Sequence, residues 1–320
     1  VWANDQAEYV NPFFPYLGYE AGNAAAMNAY NVFMDNMPGD FEPISSSFEM
    51  HGDLPCCEKD RGDAAMILFG LTHYLLASGD RRQAEHFWPL IEWTIEFCES
   101  RKTEDGVIAS TTDEMEGRIE TGSANLATSS LYYGGLELAA SLARSMGMPG
   151  LAETYLEIRS NLGEAIESHF GATIDGLDTY RYFEGHQYLR HWICMPLVVG
   201  ITERQQDTLV ALFDSLWTDD GIRVELNPDP EVARVFWDRG TLYAFRGAFY
   251  GGATERGMGR LKQFSRKRLL GDRVPYVVEA YPEGGMAHLS AESGLYCRVF
   301  TEGLLGIKPT GFDSFELLPR

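Results

Sequence analysis

The chain has 320 residues, 45% hydrophobic and 23% charged, enough apolar material for one large core and unlike a disordered or fibrous protein. Its 26 basic and 47 acidic residues give a formal net charge of -21, a surface that repels nucleic acid phosphates and anionic membranes and suits a neutral partner. No apolar run approaches the ~18 residues needed to span a bilayer, and the start, Val1-Trp2-Ala3-Asn4-Asp5, has neither the basic end nor the apolar stretch of a signal peptide.

Hydrophobic periodicity predicts helices near 24–37, 61–79, 81–101, 124–147, 150–169, 185–200, 202–217, 234–252, 253–271 and 287–306. Residues 61–79 put Ala65, Leu68, Phe69, Thr72 and Leu76 on one face, and 202–217 do the same with Leu209, Leu212, Phe213 and Leu216, the pattern of amphipathic helices on a core. Asp80 with Gln83, and Thr202 with Gln205, have capping-box spacing, in which each side chain satisfies a free N–H at a helix start. Gly79, Gly147 and Gly200 stand where helices should stop.

The connections alternate in length. Those at 38–60, 102–123, 170–184, 218–233 and 272–286 are long and rich in Asp, Glu, Gly and aromatics, whereas those around Asp80, Pro149, Ile201 and Gly252 are very short. Long loops are therefore expected on one face of an array of antiparallel helix hairpins, as in a closed double ring of helices. The helices above would be the third to the twelfth of such a ring, with the first hairpin in residues 1–20 or upstream. An α-solenoid also stacks hairpins, but no fixed period of 34 or 40 residues is present. A start without Met, and apolar residues resuming at Leu318-Pro319, suggest that 1–320 is one catalytic domain cut from a larger protein.

The five cysteines, Cys56, Cys57, Cys98, Cys194 and Cys297, form no CxxC pair and have no short spacing with His, so neither a metal site nor a disulfide framework is expected. The adjacent Cys56 and Cys57 are the exception to check.

Three long loops carry grouped carboxylates, the chemistry that cleaving a glycosidic bond needs: one acid to protonate the leaving oxygen, one carboxylate to activate water or attack. The first is His51-Gly52-Asp53-Leu54-Pro55-Cys56-Cys57-Glu58-Lys59-Asp60-Arg61-Gly62-Asp63, where several acids crowd one helix start, so that capping explains some and mutual repulsion raises the pKa of others. The second is Asp113-Glu114-Met115-Glu116-Gly117-Arg118, followed by the small-residue stretch Thr121-Gly122-Ser123-Ala124-Asn125. In the third, Glu279-Ala280-Tyr281-Pro282-Glu283-Gly284-Gly285 precedes His288, with glycines that let a backbone approach a ligand. Tyr180, Tyr182, Phe183, Trp217 and Trp237 are candidate stacking surfaces for sugar C–H faces, and His186 and His191 are candidate binding or packing residues.

These residues resemble the six-hairpin glycosidase superfamily and, within it, the inverting α-L-rhamnosidases over about residues 50–319. Asp53-Leu54-Pro55, Glu58 and Gly62-Asp63 are similar to that family's Asp-Cys-Pro-x-Arg-(Asp)-Glu and Gly-Trp-x-Gly-Asp segments. The match implies Glu58 as acid and Asp53 as a substrate-binding residue. Asp105-Gly106-Val107-Ile108 resembles the family's Asp-Gly-x-(Val/Ile) run, and Val278-Glu279 its late Trp-Glu, which implies Glu279 as base with Glu283 as rival because Val278 replaces the Trp. Glucoamylases and disaccharide phosphorylases offer a second resemblance, through Asp113-Glu114-Met115-Glu116, which implies Glu114 as the acid.

The resemblance implies an all-α (α/α)6 toroid and an inverting hydrolase of terminal sugars on oligo- or polysaccharides. Asp60, Arg61, Asp63, Glu116, Tyr182, His186, Trp237, Tyr281 and His288 would line the substrate. No cofactor, metal, nucleic acid or membrane is expected, and an extracellular or periplasmic location is favoured. The alternatives are a carbohydrate-binding barrel without catalysis and a helical protein-interaction scaffold.

Overall fold

The structure, a computed structural model, describes residues 1–49, 55–57, 59–115, 118–233, 236–271, 280–281 and 291–320. The chain falls into two compact units, Val1–His169 with Lys308–Glu316 and Phe170–Ile307 with Leu317–Arg320. Among the described residues no helix is long and apolar enough to cross a membrane.

The first unit opens on a π-helical segment, Ala3–Val10, that buries Ala3, Asn4, Ala7, Glu8 and Tyr9. Among the described residues a four-residue helix, Phe14–Leu17, and five longer helices follow: α1 (Glu20–Asp35), α2 (Asp63–Ser78), α3 (Arg81–Ser100), α4 (Leu126–Ser145) and α5 (Pro149–Phe170). Residues 1–20, where a first hairpin is expected within the chain or upstream of it, hold Ala3–Val10 and the short helical turn Phe14–Leu17.

Buried and half-buried helices alternate. Helix α3 buries Ala84, Phe87, Leu90, Ile91, Thr94, Ile95, Phe97 and Cys98 at helical spacing, and α5 buries Ala152, Tyr155, Leu162, Ile166 and Phe170. Helix α2 corrects its predicted one-sided character: every residue from Asp63 to Leu76 is buried, because Ala3–Val10, α3 and α4 all pack on it. A helix apolar all round belongs inside a layered core. Gly70 permits the closest of these approaches, since a Cβ there would lie 1.8 Å from the Ala7 carbonyl oxygen.

Helix ends follow the sequence in part. The Asp80 carboxylate accepts from Arg82 N–H at 2.8 Å and caps α3, and Gly79 (φ 66°), Gly147 (φ 83°) and Gly200 (φ 86°) take left-handed conformations just after helices. Thr202 does not cap. The next helix starts at Gln205 with Arg204 as its cap residue, and Thr202 contributes only its carbonyl, to Gln205 N–H.

The second unit begins with a hairpin, β1 (Gly171–Ile174) and β2 (Leu177–Tyr180), turned through Asp175 (φ 52°) and Gly176 (φ 79°), the paired positive φ of a type I′ turn. It continues with α6 (Met195–Val198), α7 (Gln205–Val210, extended as a π-helix over Ala211–Leu216), α8 (Asp238–Tyr250), α9 (Thr254–Leu269) and α10 (Glu292–Arg298, extended over Val299–Leu304). Helix α8 is buried from Asp238 to Phe249, whereas α9 buries only Gly257, Leu261, Phe264 and Arg268.

The helix predicted over 185–200 is replaced by irregular chain, a 3-10 turn at His191–Cys194 and the short α6. Pairing across the chain overrides its periodicity: His191 N–H donates to Val224 O at 2.9 Å, and Leu226 N–H donates to Leu189 O at 2.8 Å.

Candidate active site

In the first unit the two long connections are tied together ahead of α2 and α4. Thr111 and Thr112 N–H donate to the Asp60 carbonyl at 2.9 and 3.0 Å, and Ser110 N–H donates to Ser123 O at 3.1 Å. Gly62 (φ 82°) makes the turn into α2, and a Cβ on it would lie 2.5 Å from Thr128 Oγ1, so the Asp60-Arg61-Gly62-Asp63 segment lies directly on α4.

Within this segment the roles separate. Arg61 and Asp63 are buried and hold each other at 3.0 Å. Arg61 also donates to Ser46 Oγ at 2.8 Å and to Asn4 Oδ1 at 3.1 Å, and Ser46 donates to Asp63 at 2.8 Å. The two residues expected to bind substrate therefore form a buried scaffold between the N-terminal segment and α2.

Asp60 faces a cavity of about 510 Å³ lined by Pro43, Arg101, Ala109, Ser110, Thr111, Gly122 and Ser123. Its Oδ1 accepts from Gly62 N–H at 2.8 Å, and the residue is 7% exposed. Burial first, then the Asp63 carboxylate, push Asp60 up to about 6, against the Gly62 and Asp63 N–H groups and the Arg101 charge.

A stability test follows from this shift. The folded chain holds the Asp60 proton more tightly than the unfolded chain, whose value is 3.8, so the contribution of protonated Asp60 is fully present below about pH 4 and lost as pH rises through 6. The loss amounts to about 3 kcal/mol, from a shift of about two units. Denaturant unfolding between pH 3.5 and 7.5 should show Asp60→Asn gaining about that much on the native chain as pH rises. A pH-independent difference would refute the raised value.

Glu114 lies in the same loop, 2% exposed, next to Asp113, which is 1% exposed and whose Oδ1 accepts from Met115 N–H at 2.8 Å. That local turn fixes the backbone carrying Glu114. Asp53, Glu58 and Glu116 lie outside the described residues.

In the second unit a short ladder gathers three connections: Arg190 pairs with Glu225, Arg223 with Phe236, and β3 (Phe236–Trp237) with β4 (Ala280–Tyr281) in the register Phe236↔Tyr281 and Trp237↔Ala280. His186 joins its ring nitrogen Nε2 to Glu225 Oε2 at 2.8 Å, and its ring packs on Phe183 at 4.6 Å. Burial alone would raise Glu225, but hydrogen bonds from His186 and Asn227 and the Arg190 charge hold it below the usual range.

Tyr182 and Trp237 are fully buried, with the Arg190 guanidinium over Tyr182 at 4.2 Å and that of Arg239 over Trp237 at 4.7 Å. Neither presents the exposed face expected of it. Tyr180 and Trp217 are buried as well. His191 is a packing residue: burial pushes it down to about 3, and its Nδ1–H donates to Val224 O at 2.9 Å, so it stays neutral. Glu279, Glu283 and His288 lie outside the described residues. The ladder places the Tyr281 backbone beside Phe236.

Sequence reasoning missed Arg101, Arg190, Glu225, and the buried pairs Arg239–Glu292 at 2.9 Å and Asp238–Arg268 at 2.8 Å. None carries a local motif, because the partners are distant from each other in the chain. Among the described residues no three His, Cys, Asp or Glu side chains are grouped to hold a metal ion. Cys56 and Cys57 are joined to each other as a disulfide, the pair the cysteine pattern left open.

No family profile and no curated protein sequence matches the chain. Solved structures do. A protein described as a wild-type glycosidase superposes with a TM-score of 0.68 at 13% identity, over 93% of this chain and 81% of its own. A bacterial glucoamylase complexed with acarbose gives 0.70 at 14%, over 95% of this chain and 48% of the other. A rhamnosidase from Klebsiella oxytoca with rhamnose bound gives 0.60 at 14%, over 86% and 52%. This chain spans about half the length of the latter two. These likenesses show the fold: the chain is mostly helical and matches the (α/α)6 fold of that glucoamylase.

Proposed function

We propose that this protein is a glycoside hydrolase that releases a terminal sugar with two carboxyl groups and inverts the anomeric centre. The observation that carries the proposal is the fold it shares with glycosidases that hold acarbose and rhamnose, found across most of its length. A buried carboxyl on a long loop, Glu114, supports it.

In this reading Glu114 is the general acid, giving its proton to the glycosidic oxygen as the C–O bond breaks. Glu58, the other candidate from the sequence, keeps that role if Glu114 proves silent. The base falls to Glu279, with Glu283 as rival. It takes a proton from water as the water oxygen attacks the anomeric carbon from the opposite face, leaving a hemiacetal of inverted configuration. Inverting pairs stand about 6.5 to 9.5 Å apart so that this water fits.

A panel of nitrophenyl glycosides, rhamnosides and glucosides first, should reveal turnover, and NMR of the first-formed product should show the inverted anomer. Turnover with retained configuration would remove the mechanism, and no turnover on any glycoside would remove the reading.

A further inference from the structure

We propose that Cys56–Cys57 is a reversible redox site, a disulfide opened by a dithiol, and that its opening loosens the loop that runs on to Asp60. The proposal goes beyond the hydrolase reading and needs no turnover, so a chain that cleaves no glycoside would remove that reading and leave this one.

The bond joins neighbours in the sequence. A disulfide stabilises a fold mainly by closing a long loop of the unfolded chain, and this one closes almost none. Both residues are exposed, which opens the sulfurs to an attacking thiolate, and exposed disulfides are the labile or regulatory ones. The other three cysteines do not compete for the same chemistry. Cys98 and Cys194 are buried, and burial pushes the thiols of Cys98 and of the half-buried Cys297 up, away from the reactive thiolate.

The pair sits between two anchors on one stretch of chain. Cys56 N–H donates to Ser47 O at 2.9 Å, and Ser47 also bridges to Trp2. Further on, Arg61 Nε donates to Ser46 Oγ at 2.8 Å, and that hydroxyl donates to Asp63 at 2.8 Å. The chain from Cys57 to Asp60 therefore runs from Ser47 back to Ser46, and the conformation of Cys57 sets how it leaves the first anchor. Cys57 takes φ 70°, a left-handed conformation that a residue other than glycine keeps only when held there. The bond to Cys56 holds it. Once that bond opens, Cys57 can return to negative φ, which re-aims the chain toward Asp60. The Asp60 carbonyl accepts from Thr111 and Thr112 N–H at 2.9 and 3.0 Å, so the loop leading to Glu114 hangs on the same segment.

The exchange proceeds in two displacements. A thiolate of the dithiol attacks one sulfur of the pair. The Cys56–Cys57 bond breaks, a mixed disulfide forms on the attacked cysteine, and the other cysteine leaves as a thiolate that takes a proton from water. The dithiol's second thiol, also as thiolate, then attacks its own sulfur in the mixed disulfide, which closes the reagent's disulfide and releases the second cysteine to be protonated in turn. Two electrons pass from the dithiol to the protein, and the two protons that the dithiol gives up to water equal the two that the cysteines take from it.

The test alkylates the folded chain with iodoacetamide before and after millimolar dithiothreitol, locates the label by peptide mass spectrometry, and follows amide hydrogen exchange by NMR in both states. Cys56 and Cys57 should be unlabelled before reduction and both labelled after it, with Cys98 and Cys194 taking label only in denaturant. The Thr111 and Thr112 amides should exchange about tenfold faster in the reduced chain, the factor that the backbone preference released at Cys57 is worth. Diamide, an oxidant of thiols, should restore the slow exchange. Cys56→Ser combined with Cys57→Ser should exchange like the reduced chain and ignore dithiothreitol. Labelling of the pair before reduction, resistance to dithiothreitol until denaturant is added, equal exchange in the two states, or a double variant that still responds to dithiothreitol would overturn the proposal.

Discussion

Replacing Glu114 with Gln is expected to lower kcat by about 10² to 10⁴, the usual worth of a positioned acid, while thermal stability stays close to native. The amide keeps the shape of the side chain at a buried position but has no proton to give to the leaving oxygen. The decisive comparison is between leaving groups. A dinitrophenyl glycoside departs without protonation and should retain most of its rate, whereas an alkyl glycoside should lose nearly all of it. Equal losses on both would mean that Glu114 acts through binding or structure, and an unchanged kcat on both would return the acid role to Glu58.

The second large effect is on stability. Arg268 near the end of α9 and Asp238 at the start of α8 are 3% and 0% exposed and bind through several hydrogen bonds, Nε to Oδ2 at 2.9 Å and Nη2 to Oδ1 at 2.8 Å among them. Arg268 Nη2 also donates to Asp220 O at 2.7 Å. Arg268→Met leaves a carboxylate buried without its counter-charge, which should cost about 3 to 5 kcal/mol. The start of α8 favours negative charge, so the lower end of that range is expected. Asp238→Leu combined with Arg268→Met should be less destabilising than Arg268→Met alone, because no uncompensated charge then remains. Denaturant unfolding of Arg268→Met, Asp238→Leu and the double variant measures this; a double variant that simply sums the two single losses would show that the pair is not coupled.

Much of the fold was legible in the sequence for local reasons. Apolar spacing placed α3 and α5, the carboxylate of Asp80 marked a start, and Gly79, Gly147 and Gly200 marked stops, since each signal acts within one turn of helix. The same spacing misjudged α2, because a helix covered on all sides and one covered on a single face can share a stripe of apolar residues. It also predicted a helix over 185–200, where strand pairing of 189–191 with 224–226 took the backbone.

The candidate site divides along the same line. Composition alone marked the loops with Asp60, Asp63 and Glu114 as chemically rich. Only tertiary structure separated Asp63, tied to Arg61 and Ser46, from Asp60, left on a cavity wall, although the two are three residues apart. The same contacts covered Tyr182 and Trp237 with arginines and brought Arg101 to Asp60. Sequence by itself determined which residue types were available in each loop and where helices such as α3 begin and end, through short-range backbone and side-chain preferences. Which of those side chains are satisfied internally and which remain for a ligand was decided by partners distant in the chain, since desolvation and charge pairing depend on three-dimensional neighbours.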